Sequence, residues 1–283
     1  MKSSFEHRKT IMKRIRALLL IFLYSALALL TIMFMINDGW LDKLITNQFY
    51  DSTLPLGERF FLEDDNPWKW MNDNEIVFDV TMVIFFAVLL IIGLIRVKHP
   101  KGKLLTRYSL YIIISVVISV GLIVNVIFKG LYGRPRPVQT DLWPNSLSAD
   151  MYDFFFVWEP AFLKNPALIG EGKSFPSGHT SATAMFSLIF FVFRNNDIWK
   201  QMVPNNPKLN TSIYIITRIF KWLGFVIGTI GSVIMGLSRV VAGKHFASDV
   251  LWAIAFVWTV SWVFYEYVFR IPKKESMILN LNF

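Results

Sequence analysis

Ser238-Arg239-Val240-Val241-Ala242-Gly243-Lys244-His245-Phe246-Ala247-Ser248-Asp249 stands at the head of an apolar run that continues to Phe269. An arginine, a lysine and a histidine thus border a stretch long enough to cross a bilayer, a position where charge marks function more often than packing. With a helix beginning near Phe246, His245 and Asp249 fall four residues apart on one face. The carboxylate can then accept from one imidazole nitrogen and leave the other as a lone-pair nucleophile, the form in which histidine attacks phosphorus. A histidine that caps a helix and pairs locally with an acid has the same spacing, so the rest of the chain must decide.

Composition places that run in a membrane. The 283 residues are 54% apolar and 16% aromatic, and only 17% are charged, less than in an ordinary soluble domain. The net charge of +9 follows from the excess of Lys and Arg on the cytoplasmic side of membrane proteins, and it implies no nucleic-acid partner. The absence of cysteine excludes disulfides, thiolate catalysis and zinc-thiolate sites.

Hydropathy predicts an all-α integral membrane protein, a single domain over residues 1–283 with six transmembrane helices at about 17–36, 76–95, 108–128, 179–193, 219–237 and 249–269. The first span has no small-residue cleavage site after it and is expected to be an uncleaved anchor. Basic residues cluster before Ala17, from Arg96 to Arg107, from Arg194 to Lys221 and from Arg270 to Lys274. These segments hold nineteen of the 29 basic residues and are expected in the cytoplasm with both termini. Outer loops then cover 37–75 and 129–178. The first is acidic and carries Trp40, Tyr50, Trp68 and Trp70, suited to a membrane interface; it reads as a solvated loop or as a short surface helix. Asp79, near a helix end, needs no catalytic reading.

The cations on the outer side carry the chemistry. Lys129, Arg134, Arg136, Lys173, Arg239 and Lys244 all border the outer ends of the last four spans, and cations gathered at one depth call for an anion. Lys129 and Arg136 flank a turn shaped by Gly130, Gly133, Pro135 and Pro137. Arginine forks onto phosphate oxygens and lysine supplies a point charge. Alone, this loop reads equally well as a contact with lipid headgroups. Phe175-Pro176-Ser177-Gly178-His179-Thr180 opens the fourth span, with a hydroxyl, free helix-start amides and an imidazole. Alone, it reads as a helix cap. Of the four histidines, His7 and His99 lie in basic cytoplasmic segments, while His179 and His245 share the outer face. Asn125, one turn before Lys129, is placed to support it.

Taken together, Lys129 with six residues before Arg136-Pro137, then Pro176-Ser177-Gly178-His179, then Ser238-Arg239 with five residues before His245 and three more before Asp249, resemble the three-part signature of the type 2 phosphatidic acid phosphatase superfamily. The ordered match covers about Phe128 to Asp249. The resemblance implies a metal-independent phosphatase of six helices without cofactors. It makes His245 the nucleophile, Asp249 its orienting acid and His179 the general acid. Lys129, Arg136, Ser177, the Gly178 amide and Arg239 would hold the phosphate oxygens.

The segments Val124–Lys129, Gly133–Val138 and His245–Val250 are similar to the bacterial lipid A phosphatase subgroup. That similarity implies a multi-pass enzyme of the bacterial inner membrane with its site facing the periplasm. Arg134 and Lys244, outside the shared signature, are candidates for a second phosphate or an acidic sugar, or are surface charges. The expected reaction is hydrolysis of a phosphate monoester or diphosphate on a membrane lipid through a phosphohistidine, with lipid A first. Undecaprenyl diphosphate and phosphatidylglycerophosphate are alternative substrates, and transfer to a lipid hydroxyl is an alternative outcome. A vanadate-type haloperoxidase fits poorly with six apolar spans. A non-catalytic lipid-binding or transport protein would not need His245 and Asp249 together.

Overall fold

The computed structural model describes the backbone of residues 2–145, 152–157, 159–203 and 206–280, and side chains from Tyr24 onward except at 75–79, 82, 168 and 280. The basic N-terminal residues and Asp79 therefore lie outside the described side chains. Among the described residues the chain is all-α, with one isolated parallel bridge between Thr140 and Tyr152.

Eight helices set the architecture: α1 (Lys2–Asn47), α2 (Trp68–Asp73), α3 (Glu75–Ile95), α4 (Pro100–Leu131), α5 (Gly178–Val192), α6 (Pro207–Val241), α7 (Ala247–Val268) and α8 (Ile271–Asn280). Tyr24–Asn47, α4, α6 and α7 are long and apolar enough to cross a membrane. Val83–Ile95 and α5 are shorter apolar helices. Large apolar side chains stay exposed along α3, including Ile84, Ile91 and Leu94, and along α6, including Ile219, Trp222 and Ile230. In water such a surface would drive aggregation; in a bilayer it is the lipid-facing side.

Local sequence explains the helix ends. His99 caps α4 with its ring nitrogen accepting from the Lys101 amide, and Pro100 occupies the first helical position, where its missing N–H costs nothing. Asn206 caps α6 in the same way, ahead of Pro207. The expected first span ends near residue 36, and there α1 kinks: Ile36 is extended, and Asn37, Asp38 and Gly39 have positive φ. The chain then resumes as a short helical arm to Asn47. Segment 37–75 thus opens with ordered helix that carries Asp42 into the protein interior, where only 1% of it remains exposed.

Two aromatic clusters hold the functional end together. Phe128 stacks on Phe256 at 4.9 Å and meets Phe175 edge-on at 5.5 Å, and Phe175 packs on Tyr132 at 4.6 Å. These rings bind the end of α4, the start of α5 and the wall of α7 into one body. The second cluster joins Phe60, Trp143 and Phe154, contributed by the two long loops, to Phe246 ahead of α7.

Candidate active site

Motif residues far apart in sequence meet through backbone contacts. The Ser177 amide donates to the Asp249 carbonyl at 3.3 Å, the Val138 amide to the Gly243 carbonyl at 3.1 Å, and the Ser174 amide to the Arg134 carbonyl at 3.0 Å. Each joins two of the three motif regions, so a turn of one positions a turn of another.

The third motif places the nucleophile candidate. α6 stops at Val241, and the carbonyl of Arg239 accepts from the amides of Lys244 at 2.9 Å and His245 at 3.3 Å, which folds the chain back on itself. Gly243 makes this turn at φ +62°, and a methyl group there would fall 2.5 Å from the Phe60 ring. Both the dihedral and the ring demand glycine. Asp249, at the third position of α7, accepts from the Phe246 amide at 2.8 Å and so starts the next helix.

His245 is 2% exposed. Its Nδ1 lies 2.5 Å from the Ser174 carbonyl oxygen and 3.9 Å from Oδ2 of Asp249. A carbonyl can only accept, so the neutral ring carries its proton on Nδ1, and Nε2 keeps the lone pair. The expected direct bond from His245 to Asp249 is therefore replaced at rest by a carbonyl contact. Asp249 stands one step behind, linked to the same residue through Ser174 Oγ, which donates to Oδ2 at 2.6 Å. Burial pushes the His245 pKa down to about 4; Asp249 opposes the shift, and Arg239 and Lys129 add to it. At neutral pH the ring is uncharged, with its lone pair on Nε2.

Lys129 and Gly178 meet closely. A methyl group at Gly178 would sit 2.5 Å from Lys129 Nζ and 3.7 Å from Asn125 Oδ1. The ammonium of the first motif thus lies against the start of α5, with Asn125 beside it. Ser177 caps that helix: its Oγ accepts from Thr180 Oγ1 at 2.8 Å and from the Thr180 amide at 3.4 Å, leaving its own proton to donate. His179 follows in the first turn, half-buried. Arg136 is also half-buried, and its Nε is enclosed without a hydrogen-bond partner among the described residues. Burial lowers its pKa. An enclosed guanidinium donor of this kind suits an incoming phosphate oxygen.

Of the two candidates for a second phosphate or an acidic sugar, Arg134 needs correction and Lys244 takes its alternative place as a surface charge. Arg134 is 0% exposed. Nε donates to the Phe155 carbonyl at 2.9 Å, NH1 to Asp249 Oδ1 at 2.5 Å and Ser248 Oγ at 2.8 Å, and NH2 to Asp42 Oδ2 at 2.9 Å. The Phe246 ring covers its face at 4.2 Å. Four of its five N–H donors are taken and none of the side chain is exposed, so this guanidinium serves the protein interior and not a substrate phosphate. Lys244 pairs with Glu63 at 3.2 Å, at the partly exposed rim.

Three contributors escaped the sequence reading. Asp42 accepts from Arg134 and also from Ser248, through the amide at 3.0 Å and through Oγ at 2.5 Å. Ser174 supplies a carbonyl to His245 and a hydroxyl to Asp249. Adjacency to the second motif marked Ser174 and adjacency to Asp249 marked Ser248, but nothing near Asp42 set it apart from its acidic neighbours. Among the described residues no three His, Asp or Glu side chains gather as a metal site.

The described geometry thus brings Asp249, Arg239 and Lys129 close to a buried neutral imidazole and sets Lys129 against the helix start that carries His179. Residues 104–273 match the PAP2 superfamily. This chain belongs to the PAP2 superfamily. The resemblance drawn from the three motifs is borne out, and with it the reading as a lipid phosphatase. The chain is also 26% identical over 200 residues to the lipid A 4'-phosphatase of Francisella tularensis subsp. novicida (strain U112), covering 71% of this chain and 72% of that protein. No solved structure matches.

Proposed function

We propose that this protein removes a phosphate from a membrane lipid through a phosphohistidine, with lipid A as the first substrate. The observation that carries the mechanism is the buried His245, neutral and fixed by the Ser174 carbonyl so that Nε2 is the nucleophile. Similarity to a lipid A 4'-phosphatase over most of both chains supports the substrate.

In the first step the Nε2 lone pair forms the N–P bond while the P–O bond to the lipid breaks, and His179 gives its proton to the leaving oxygen. Lys129, Arg136, Arg239, the Ser177 hydroxyl and the Gly178 amide hold the remaining phosphate oxygens as charge builds. The ring becomes cationic, and Asp249 stabilises it from behind through Ser174 and across the 3.9 Å gap. In the second step water, deprotonated by the now neutral His179, attacks phosphorus. The N–P bond breaks and inorganic phosphate leaves.

In the proposed topology the four long apolar helices and the two shorter ones make six spans, with both termini in the cytoplasm and the site at the periplasmic face of a bacterial inner membrane. The acidic, tryptophan-bearing outer segment and the basic segments at the other ends support this orientation. Because the chain has no cysteine, single cysteines placed at Glu63 and Lys101 report sidedness cleanly. An impermeant thiol reagent should label the first in intact cells and not the second.

The enzymatic test uses purified protein with lipid A labelled in its phosphates, beside undecaprenyl diphosphate, phosphatidylglycerophosphate and phosphatidic acid. Free phosphate should appear fastest from lipid A, and rapid quenching should trap acid-labile label on the protein that His245→Ala lacks. Phosphorylated lipid product in place of free phosphate would make it a phosphotransferase. Turnover without protein-bound label, unchanged in His245→Ala, would remove the mechanism.

A further inference from the structure

The chain of buried groups behind His245 does not end at Asp249. It continues through Arg134 to Asp42, a residue on the arm of α1 that lies 62 positions before the family match begins at residue 104. Asp249 and Asp42 each accept from one NH2 group of the same guanidinium, at 2.5 and 2.9 Å, and all three side chains are at most 1% exposed. Ser248 closes the ring, donating to Asp42 and accepting from Arg134.

We propose that Asp42 is a positioning residue for the reaction at His245: it balances the charge of Arg134 so that Asp249 remains a full counter-charge to the imidazolium. The inference rests on His245 as nucleophile. The physical reason is a count of charges in a dry enclosure. Arg134 alone with Asp249 makes a neutral pair, and a neutral pair does little for a cation forming beside it. Burial raises the Asp42 pKa, and Arg134 and the two Ser248 bonds oppose that shift; with Asp42 ionised the relay carries one net negative charge behind the Nδ1 side of the ring. Arg134 then fixes Asp249 in place without cancelling it.

A second role for Asp42 is visible, since its acceptance of the Ser248 amide caps the first turn of α7 from another helix. The two roles separate by measurement. A cap affects how much protein folds; a charge balance affects the proton affinity of His245. The charged groups facing His245 are Asp249 on α7, Arg239 on α6 and Lys129 on α4, together with the Ser174 carbonyl. Those facing Asp42 are Arg134 and, beyond it, Asp249.

The experiment titrates the His245 ring by NMR in histidine-labelled full-length protein, and measures kcat on lipid A in the same samples. Asp42→Asn should lower the His245 titration by about one pH unit and kcat by roughly tenfold or more, as loss of a supporting group typically does. Arg134→Gln, which leaves two negative charges, should raise the titration. Asp42→Asn combined with Arg134→Gln restores one net negative charge and should return the titration close to the parent value. If either single substitution prevents folding, the double variant decides. A parent-like titration with kcat within about tenfold of the parent supports the charge balance; a lowered titration, or a loss of over a hundredfold, overturns it. An unmoved titration in a folded Asp42→Asn protein also overturns it. The titration does not depend on His245 being the nucleophile: if His245→Ala stays active, the phosphohistidine falls, whatever the NMR shows.

Discussion

Both ends of the helix bundle bury a carboxylate, and they use it differently. At the end opposite the site, Glu275 on α8 accepts from Tyr108 at 2.5 Å, Tyr265 at 3.1 Å and Asn195 at 2.9 Å, with no cation bonded to it among the described residues. At the active end, Asp249 and Asp42 share one arginine, and a histidine lies alongside. Neutral donors satisfy a carboxylate and pin α8 to the bundle, which is a matter of packing. A shared guanidinium leaves excess negative charge next to a titratable ring, which is a matter of reactivity. Burial alone therefore does not mark function; the kind of partner does.

The sharpest way to break this contrast is to substitute at both ends. His245→Ala should lower kcat by at least roughly a thousandfold while leaving the protein monodisperse in detergent, whereas Glu275→Gln should leave kcat within about twofold. An inactive but well-folded Glu275→Gln protein would show that the far end takes part in chemistry. The next effect is steric. Gly178→Ala drives a methyl group against Lys129 Nζ, and kcat/KM should fall about ten- to a hundredfold with little change in Tm, read from initial rates and thermal unfolding. Normal kcat/KM would mean that Lys129 does not need its place over Gly178.

Protonation supplies a smaller effect with a definite sign. His245 is held at about 4, so kcat/KM should fall on acidification through that pH as the lone pair is lost. Arg239→Gln removes a cation that lowers this value, and the acid limb should move up, by about half a unit to one unit, in a full pH–rate profile. A limb that does not move would place Arg239 away from the ring. The same shift couples to stability. The unfolded ring titrates near 6.5, so stability from keeping His245 neutral is complete above that pH and is lost as pH falls toward 4, on the order of 3 kcal/mol. The smallest effect belongs to Glu275→Gln, where one donor meets another donor, at a cost of about 1 kcal/mol or a few degrees in Tm; an unchanged melting curve would mean the network does not hold α8.

The sequence made some of this legible and hid the rest for physical reasons. Lys129, Arg136, His179, His245 and Asp249 announce themselves because phosphate chemistry needs those residue types at fixed spacings on turns and helix starts. Helix positions follow from hydropathy, which is local. Arg134 was misread because Gly133-Arg134-Pro135-Arg136 offers two arginines and nothing local says which turns inward. Its partners lie 92 and 115 residues away. Ser174 was missed because its contribution to His245 is a carbonyl, and every residue has one. Asp42 looked like one more acid in an acidic loop. Only the kink at Ile36–Gly39 turns it inward, and that geometry has no spacing signature.

The bend in α1 also bears on how the enzyme can be handled. A shortened version starting at Leu104, where similarity to the superfamily begins, would contain all of the recognised motif residues and still lose the arm that supplies Asp42. Such a protein would look complete by its motifs, yet Arg134 would keep only one of its two carboxylates. Trimming to the recognisable core, ordinarily a harmless convenience, would here remove part of the machinery.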